Sequence, residues 1–178
     1  MRAALSEPTT SIRLATAADL PVLASLIFSS FIEYEAAYTT EGFVATTPSS
    51  HQLEKRMAEG PIWVAVRDEV LLGTVSVVSR GDELYIRGMA VVPEARSLGL
   101  GGLLLRTVED FALAQNCERL VLSTTPFLRR AIKLYERFGF KQTADGPHEL
   151  FGTPLFTMVK ELVTKKAARE ERPFSKTN

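Results

Sequence analysis

Residues 91–105 read Val91-Val92-Pro93-Glu94-Ala95-Arg96-Ser97-Leu98-Gly99-Leu100-Gly101-Gly102-Leu103-Leu104-Leu105. An apolar strand ends at Val92-Pro93, a loop follows with one arginine and three glycines, and a leucine run opens a helix. The first turn of a helix exposes N–H groups that have no partner in the helix, and the aligned peptide dipoles add positive charge there. Glycine lets a bulky anion come close to that backbone. The stretch therefore predicts a strand–loop–helix unit that holds a phosphate-bearing ligand.

Upstream, Ser11 to Thr16 alternates as a short strand, and Thr16 with Asp19 caps a helix striped by Leu20, Leu23, Ile27, Phe28 and Phe31. Glu33, Tyr34, Glu35 and Tyr38 extend its end. Residues 39–48 read as loop. Ser49 or Ser50 caps a second helix through Leu53, Arg56 and Met57 to Gly60. Two hairpin strands follow, at 62–66 and 72–78, then a strand at 83–92 that runs into the glycine loop.

Downstream, a helix covers 101–115 and a strand covers 119–124. A helix striped by Leu128, Ala131, Ile132, Tyr135 and Phe138 comes next, stopped by Gly139, with closing strands at 140–143 and 155–162. Residues 145–154 read as a turn-rich link. Antiparallel strands first, then strand–helix–strand–helix, predict an α+β fold around a mixed, mostly antiparallel central sheet flanked by helices. One domain over 11–162 is expected, with 1–10 and 163–178 as flexible tails.

The 178 residues carry 21 basic and 21 acidic side chains, a balance that speaks against a general nucleic-acid binder. A phosphate site must then rely on local groups rather than long-range steering. The one cysteine, Cys117, excludes an intrachain disulfide and fits a reducing compartment. No apolar run reads as long enough to span a bilayer, and 1–10 lacks the apolar core of a signal peptide. The expectation is a cytoplasmic protein without a membrane partner.

Known phosphate motifs narrow the ligand. No Gly-Lys-Ser/Thr closes the loop as in a Walker sequence, and Leu104 stands where a dinucleotide fingerprint needs its third glycine. No His-Glu-x-x-His or cysteine–histidine cluster implies a metal, and His51 and His148 stand alone. What is left is Arg96-x-x-Gly99-x-Gly101 after the strand Met89-Ala90-Val91-Val92-Pro93, with Leu134-Tyr135-Glu136-Arg137-Phe138-Gly139-Phe140 about 40 residues on. Together these two segments resemble the GNAT superfamily of acyl-CoA-dependent N-acyltransferases, over roughly 11–162.

The resemblance implies an acetyl-CoA-dependent N-acetyltransferase that works by direct transfer to an amine in a ternary complex. The anion becomes the pyrophosphate of coenzyme A, held by the backbone of Arg96, Ser97, Leu98, Gly99, Leu100, Gly101 and Gly102. Met89, Ala90 and Val91 would pair with the pantetheine arm, where the sheet splays at a bulge expected at Gly88. Arg129, Arg130 and Lys133 read either as partners of the 3′-phosphate or as a solvated basic face. Where relatives carry an asparagine, this chain has Leu128, so a hydroxyl of Ser123, Thr124 or Thr125 is expected to take over that contact.

Tyr135 is implied as the general acid for the departing thiolate; its other reading is a packing residue on the apolar stripe. Many relatives have a glutamate where Tyr85 stands, so the base is sought elsewhere: Glu83 directly or through water, or Glu33 or Glu35. The acceptor wall is expected from Phe31, Tyr34, Glu35, Tyr38 and Phe43, an acidic and aromatic surface suited to a cationic amine. The acceptor is a small molecule or a peptide. No metal is expected, and the resemblance allows a homodimer. The rival reading is an acyl-CoA-binding regulatory module with little turnover.

Overall fold

The computed structural model describes residues 9–146 and 148–163. The chain opens with β1 (Thr10–Leu14), so Thr10, assigned to the leading tail above, is already paired opposite Arg67. The expectations for 1–8 and 164–178 lie outside the described residues.

Asp19 organises the first helix start. Its Oδ2 accepts from the Thr16 N–H at 2.7 Å, and its two oxygens take both Nη atoms of Arg13 at 2.8 Å. With Pro21 in its first turn, α1 (Leu20–Phe31) begins there. The chain then tightens into a 3-10 turn over Ile32–Ala37 instead of continuing as α-helix. The expected loop holds a further helix, α2 (Thr40–Thr46), capped by Thr39 Oγ1, which accepts from the Gly42 N–H at 3.1 Å. Ser49 and Gln52 close a capping box at the head of α3 (Ser50–Glu59).

The sheet follows. β2 (Ile62–Arg67) and β3 (Val70–Arg80) meet at Asp68-Glu69, both at positive φ, 51° and 65°. Those angles give the turn a twist that suits a two-residue hairpin. Next come β4 (Glu83–Val91), a 3-10 turn over Pro93–Leu98, α4 (Leu100–Ala114), β5 (Arg119–Thr124) and α5 (Arg129–Arg137). The chain closes with β6 (Lys141–Gln142), β7 (His148–Leu150) and β8 (Thr153–Glu161). β7 lies in the segment read above as a link; it forms a hairpin with β8 through Phe151-Gly152, both at positive φ. The strand order is β1-β2-β3-β4-β5-β8-β6. Among the described strands only β4–β5 is parallel, the mostly antiparallel open sheet that the sequence predicts.

Both faces of the sheet are covered, which is why β2 is buried at consecutive positions rather than alternate ones. Trp63 and Ala65 join Leu84, Ile86, Leu104, Leu105 and Val108 under α4. Ile62 and Val64 join Leu23, Leu26 and Leu53 under α1 and α3. Ala17–Ala37 is long and apolar enough by composition to cross a membrane, contrary to the sequence reading, and its stripe of Leu20, Leu23, Leu26 and Ile27 is packed into this second layer.

Two irregularities in β4 position everything that follows. Opposite β3, Ser76 pairs with Gly88 and Val77 with Ile86, leaving Arg87 as an extra residue. The bulge thus falls at Arg87, one residue before the expected Gly88. Gly88 is not forced to be glycine, since a Cβ there would stand 3.7 Å from Ser76 Oγ, an ordinary contact. On the other side, β4 pairs with β5 only from Glu83↔Arg119 to Ile86↔Leu122. Beyond Ile86 the two strands part, and β5 stays paired to β8 as far as Thr124↔Phe156.

Candidate functional site

The splay opens a cleft of about 760 Å³. At one end stands the glycine loop. Gly99 adopts φ 72° and ψ 11°, a left-handed conformation natural to glycine, and so turns the chain into α4. The first α4 bond runs from the Leu103 N–H to the Gly99 carbonyl at 3.2 Å, so the N–H groups of Leu100, Gly101 and Gly102 precede the ladder. A Cβ on Gly101 would meet Leu134 Cδ2 at 2.6 Å, so this glycine seats α4 against α5. Gly99 and Gly101 therefore have separate physical reasons, whereas a Cβ on Gly102 would meet only Arg106 Nη1 at an ordinary 3.7 Å. The cradle of free N–H groups fits a bulky anion such as a pyrophosphate.

Arg96 does not point freely at this cradle. Its Nη1 is ion-paired to Glu33, its Nη2 donates to the Ser30 carbonyl at 2.9 Å, and its Nε donates to the Val91 carbonyl at 3.4 Å. The side chain is only 17% exposed. It fastens the loop to the end of α1, which leaves anion binding to the backbone.

Tyr135 lines the cleft from α5. It is 7% exposed, and its ring meets Phe140 edge-on at 5.9 Å. Burial, then the neighbouring Tyr38 phenol, pushes its hydroxyl pKa up to about 12. Tyr38 also lines the cleft, edge-on to Phe127 at 4.8 Å, and burial raises its phenol too. Thr125 Oγ1 is buried near Tyr38, outside hydrogen-bond geometry, with no partner among the described residues. An orphaned hydroxyl on the cleft wall invites a ligand contact, in the segment where Ser123, Thr124 and Thr125 are expected to replace the asparagine.

The other expected residues divide. Met89, Ala90, Val91, Gly99, Gly101, Gly102 and Tyr34 line the cleft, as do Phe31 and Arg130. Ser97 and Leu98 lie in the 3-10 turn before the cradle, and Leu100 is buried beneath it. Glu35 is exposed off the cleft, and Phe43 is packed between Phe28 and Tyr38. Glu83 holds Arg119 at 3.3 Å at the far end of β4 and does not reach the cleft wall. Cys117 is buried in the α4–β5 connection, where burial pushes its thiol pKa up and makes it a poor nucleophile.

Among residues outside the expected site set, Arg56, Glu59 and Arg87 also line the cleft. Arg87 is ion-paired to Glu59 across the bulge. Arg56 donates from Nη2 to the Ala45 carbonyl at 3.3 Å. One signal was available in the sequence: Arg56 occupies the stripe Leu53–Arg56–Met57, a cation on the inward face of an amphipathic helix.

The model of the GNAT acetyltransferase family matches residues 28–140. Over 84 residues, 46% of this chain and 38% of the relative, the chain is 37% identical to a probable N-acetyltransferase camello of Xenopus tropicalis. Over 85 residues, 47% of the chain and 30% of the relative, it is 36% identical to an N-acetylaspartate synthetase of Danio rerio. The chain thus spans well under half the length of both. The PaiA N-acetyltransferase of Thermoplasma acidophilum, solved with coenzyme A, superimposes with a TM-score of 0.75 at 18% identity. That alignment covers 86% of this chain and 99% of that one.

Proposed function

Since the chain belongs to the GNAT acetyltransferase family, we propose that it transfers an acetyl group from acetyl-CoA directly to an amine, both substrates being bound together. The observation that carries the proposal is the backbone cradle at Gly99–Gly102 opening into the same cleft as the Tyr135 phenol. The pyrophosphate would rest on the N–H groups of Leu100, Gly101 and Gly102. Met89 to Val91 present the edge of β4 that β5 has left unpaired, ready to bond an extended arm.

The amine nitrogen attacks the thioester carbon, the new C–N bond forms, and the C–S bond breaks with its electron pair on sulfur. A lysine-type amine is mostly protonated at neutral pH, so a proton must leave first. Glu59 is the one carboxylate among the described residues that line the cleft, and it is the proposed proton acceptor. Tyr135, kept protonated by burial, donates a hydrogen bond to the developing thiolate. A phenol near 12 is a weaker acid than an ordinary thiol near 8.5, so its share lies in stabilising charge while the bond breaks.

Thiol release from acetyl-CoA across a panel of amines tests the proposal. Amine-dependent release that falls on Tyr135→Phe is expected. Tight coenzyme A binding with no turnover on any amine would point instead to a binding module.

A further inference from the structure

We propose that the acceptor amine carries a carboxylate, received by Arg56 with Arg87 beside it. This deepens the acyltransferase reading above and rests on it.

The chain as a whole is balanced, with 21 basic and 21 acidic residues. Its cleft is not. Lys55, Arg56, Arg87, Arg96, Arg130 and Arg137 line it, against Glu59 alone. Part of this charge is accounted for: Arg96 is held by Glu33, Lys55 is exposed, and Arg130 and Arg137 stand on α5, whose Leu134 packs on Gly101. Arg56 and Arg87 belong elsewhere. Arg87 lies four residues before Val91, about 13 Å up the strand from the end that feeds the cradle. Arg56 comes from α3, whose Leu53 packs in the core layer under α1 rather than the one under α4. A phosphate seated on the α4 N-terminus leaves this pair to the other substrate.

The two arginines are in different states. Arg87 has its counter-ion, Glu59. Arg56 makes no ion pair among the described residues, and its one described hydrogen bond goes to a backbone carbonyl, Ala45. A guanidinium has five N–H donors in a planar fork, so most of this fork is uncommitted. Burial and the nearby Arg87 charge press its pKa down, against the pull of the Glu59 carboxylate, which is itself paired with Arg87. The fork matches a carboxylate in charge and in two-point geometry. The acidic wall expected from sequence is not there to oppose it, because Glu35 faces solvent away from the cleft.

The test uses acceptor pairs that differ only in the carboxylate: amino acids and the amines left by removing their carboxyl group. With the full chain and saturating acetyl-CoA, kcat/KM is expected to favour the amino acid by about 10- to 100-fold, the range of a hydrogen bond to a partly buried charged group. Arg56→Gln should erase most of that ratio and Arg56→Lys should restore part of it. A ratio between two substrates is unaffected by the fraction of protein that is folded. Calorimetry on the coenzyme A-loaded protein reads the same preference without turnover, so it stands even if catalysis fails. Equal kcat/KM and equal affinity for both members of each pair, binding of neither, or a ratio that survives Arg56→Gln would each overturn the proposal.

Discussion

Arg96 and Glu33, sixty-three positions apart, form an ion pair that ties the glycine loop to the turn following α1. The same guanidinium reaches the Ser30 carbonyl at 2.9 Å. The arginine of the motif is thus a clasp that sets where the loop stands. Glu33→Gln and Arg96→Met are expected to raise the coenzyme A dissociation constant by about 10-fold, the worth of a charged hydrogen bond in a shielded place. The turnover rate at saturating acetyl-CoA should change less than threefold. Titration calorimetry and initial-rate kinetics on the two variants check this; a fall in kcat with unchanged affinity would contradict it.

Gly101→Ala forces a methyl group against Leu134. The clash is with the movable end of a half-buried side chain, so a shift of Leu134 keeps the cost near the low end of overpacking, about 1 kcal/mol. Coenzyme A affinity should fall together with the melting temperature. Adding Leu134→Ala makes room and should recover part of both, a compensation that calorimetry of the double variant would reveal. Gly99→Ala should cost about 1 kcal/mol through its positive φ alone, with no rescue from position 134.

Tyr135→Phe is expected to lower kcat by about 10²–10³-fold while leaving the acetyl-CoA KM within a factor of three. In an alkaline titration followed at the tyrosinate band, Tyr135 should ionise close to 12, and that late phase should vanish in the variant. The native phenol holds its proton after the unfolded one has lost it, so this group's contribution to stability is full below about pH 10. It declines as the pH rises from there toward 12.

Glu59→Gln and Glu83→Gln should separate cleanly in kinetics. The first removes the carboxylate on the cleft wall and is expected to lower kcat/KM at least 10-fold. The second only loosens a strand-end pair with Arg119 and should leave kcat/KM within a factor of two. A larger loss for Glu83→Gln than for Glu59→Gln would reverse the assignment.

Asp19 offers a stability test away from the cleft. Hydrogen bonds from Arg13 and the Thr16 N–H hold its carboxyl far below the usual carboxylate range. Its contribution is therefore present above the unfolded pKa, near 3.9, and is lost as the pH falls below that. Asp19→Asn should cost about 1–2 kcal/mol at pH 7, the range of a lost cap, with the gap to the parent narrowing below pH 4. Urea melts at pH 7 and pH 3 measure both values.

The strands other than β7, α4 and the glycine cradle are legible in the sequence because their signals are local: period-two runs, a leucine stripe, and glycines at fixed spacing. α2 is not, because its seven residues include a glycine and β-branched side chains. It is held by contacts to a hairpin over a hundred positions away, where the Thr39 N–H donates to Thr153 Oγ1 at 3.0 Å. Of the expected acceptor wall, Phe31, Tyr34 and Tyr38 line the cleft while Glu35 and Phe43 do not, and for Glu35 the reason is geometric. A helix continued past Phe31 advances about 100° per residue and a 3-10 turn about 120°. By Glu35, the fourth residue of Ile32–Ala37, the discrepancy has grown to roughly 80°, nearly a quarter of a turn, and the side chain is exposed. The meeting of Arg56 with Arg87 depends on α3 lying over a bulge, which no local pattern announces.

The extra residue at Arg87 also changes how β4 must be counted. Before it, the even positions Leu84 and Ile86 face the α4 layer; after it, the odd positions Met89 and Val91 do, and the even Ala90 turns to α1. The strand reverses parity at the point where it parts from β5. A one-residue deletion there would send Met89 and Val91 toward α1 and Ala90 toward α4, and the unpaired edge would be offered by the wrong carbonyls and N–H groups. Alignments of this segment should therefore be anchored separately on each side of position 87.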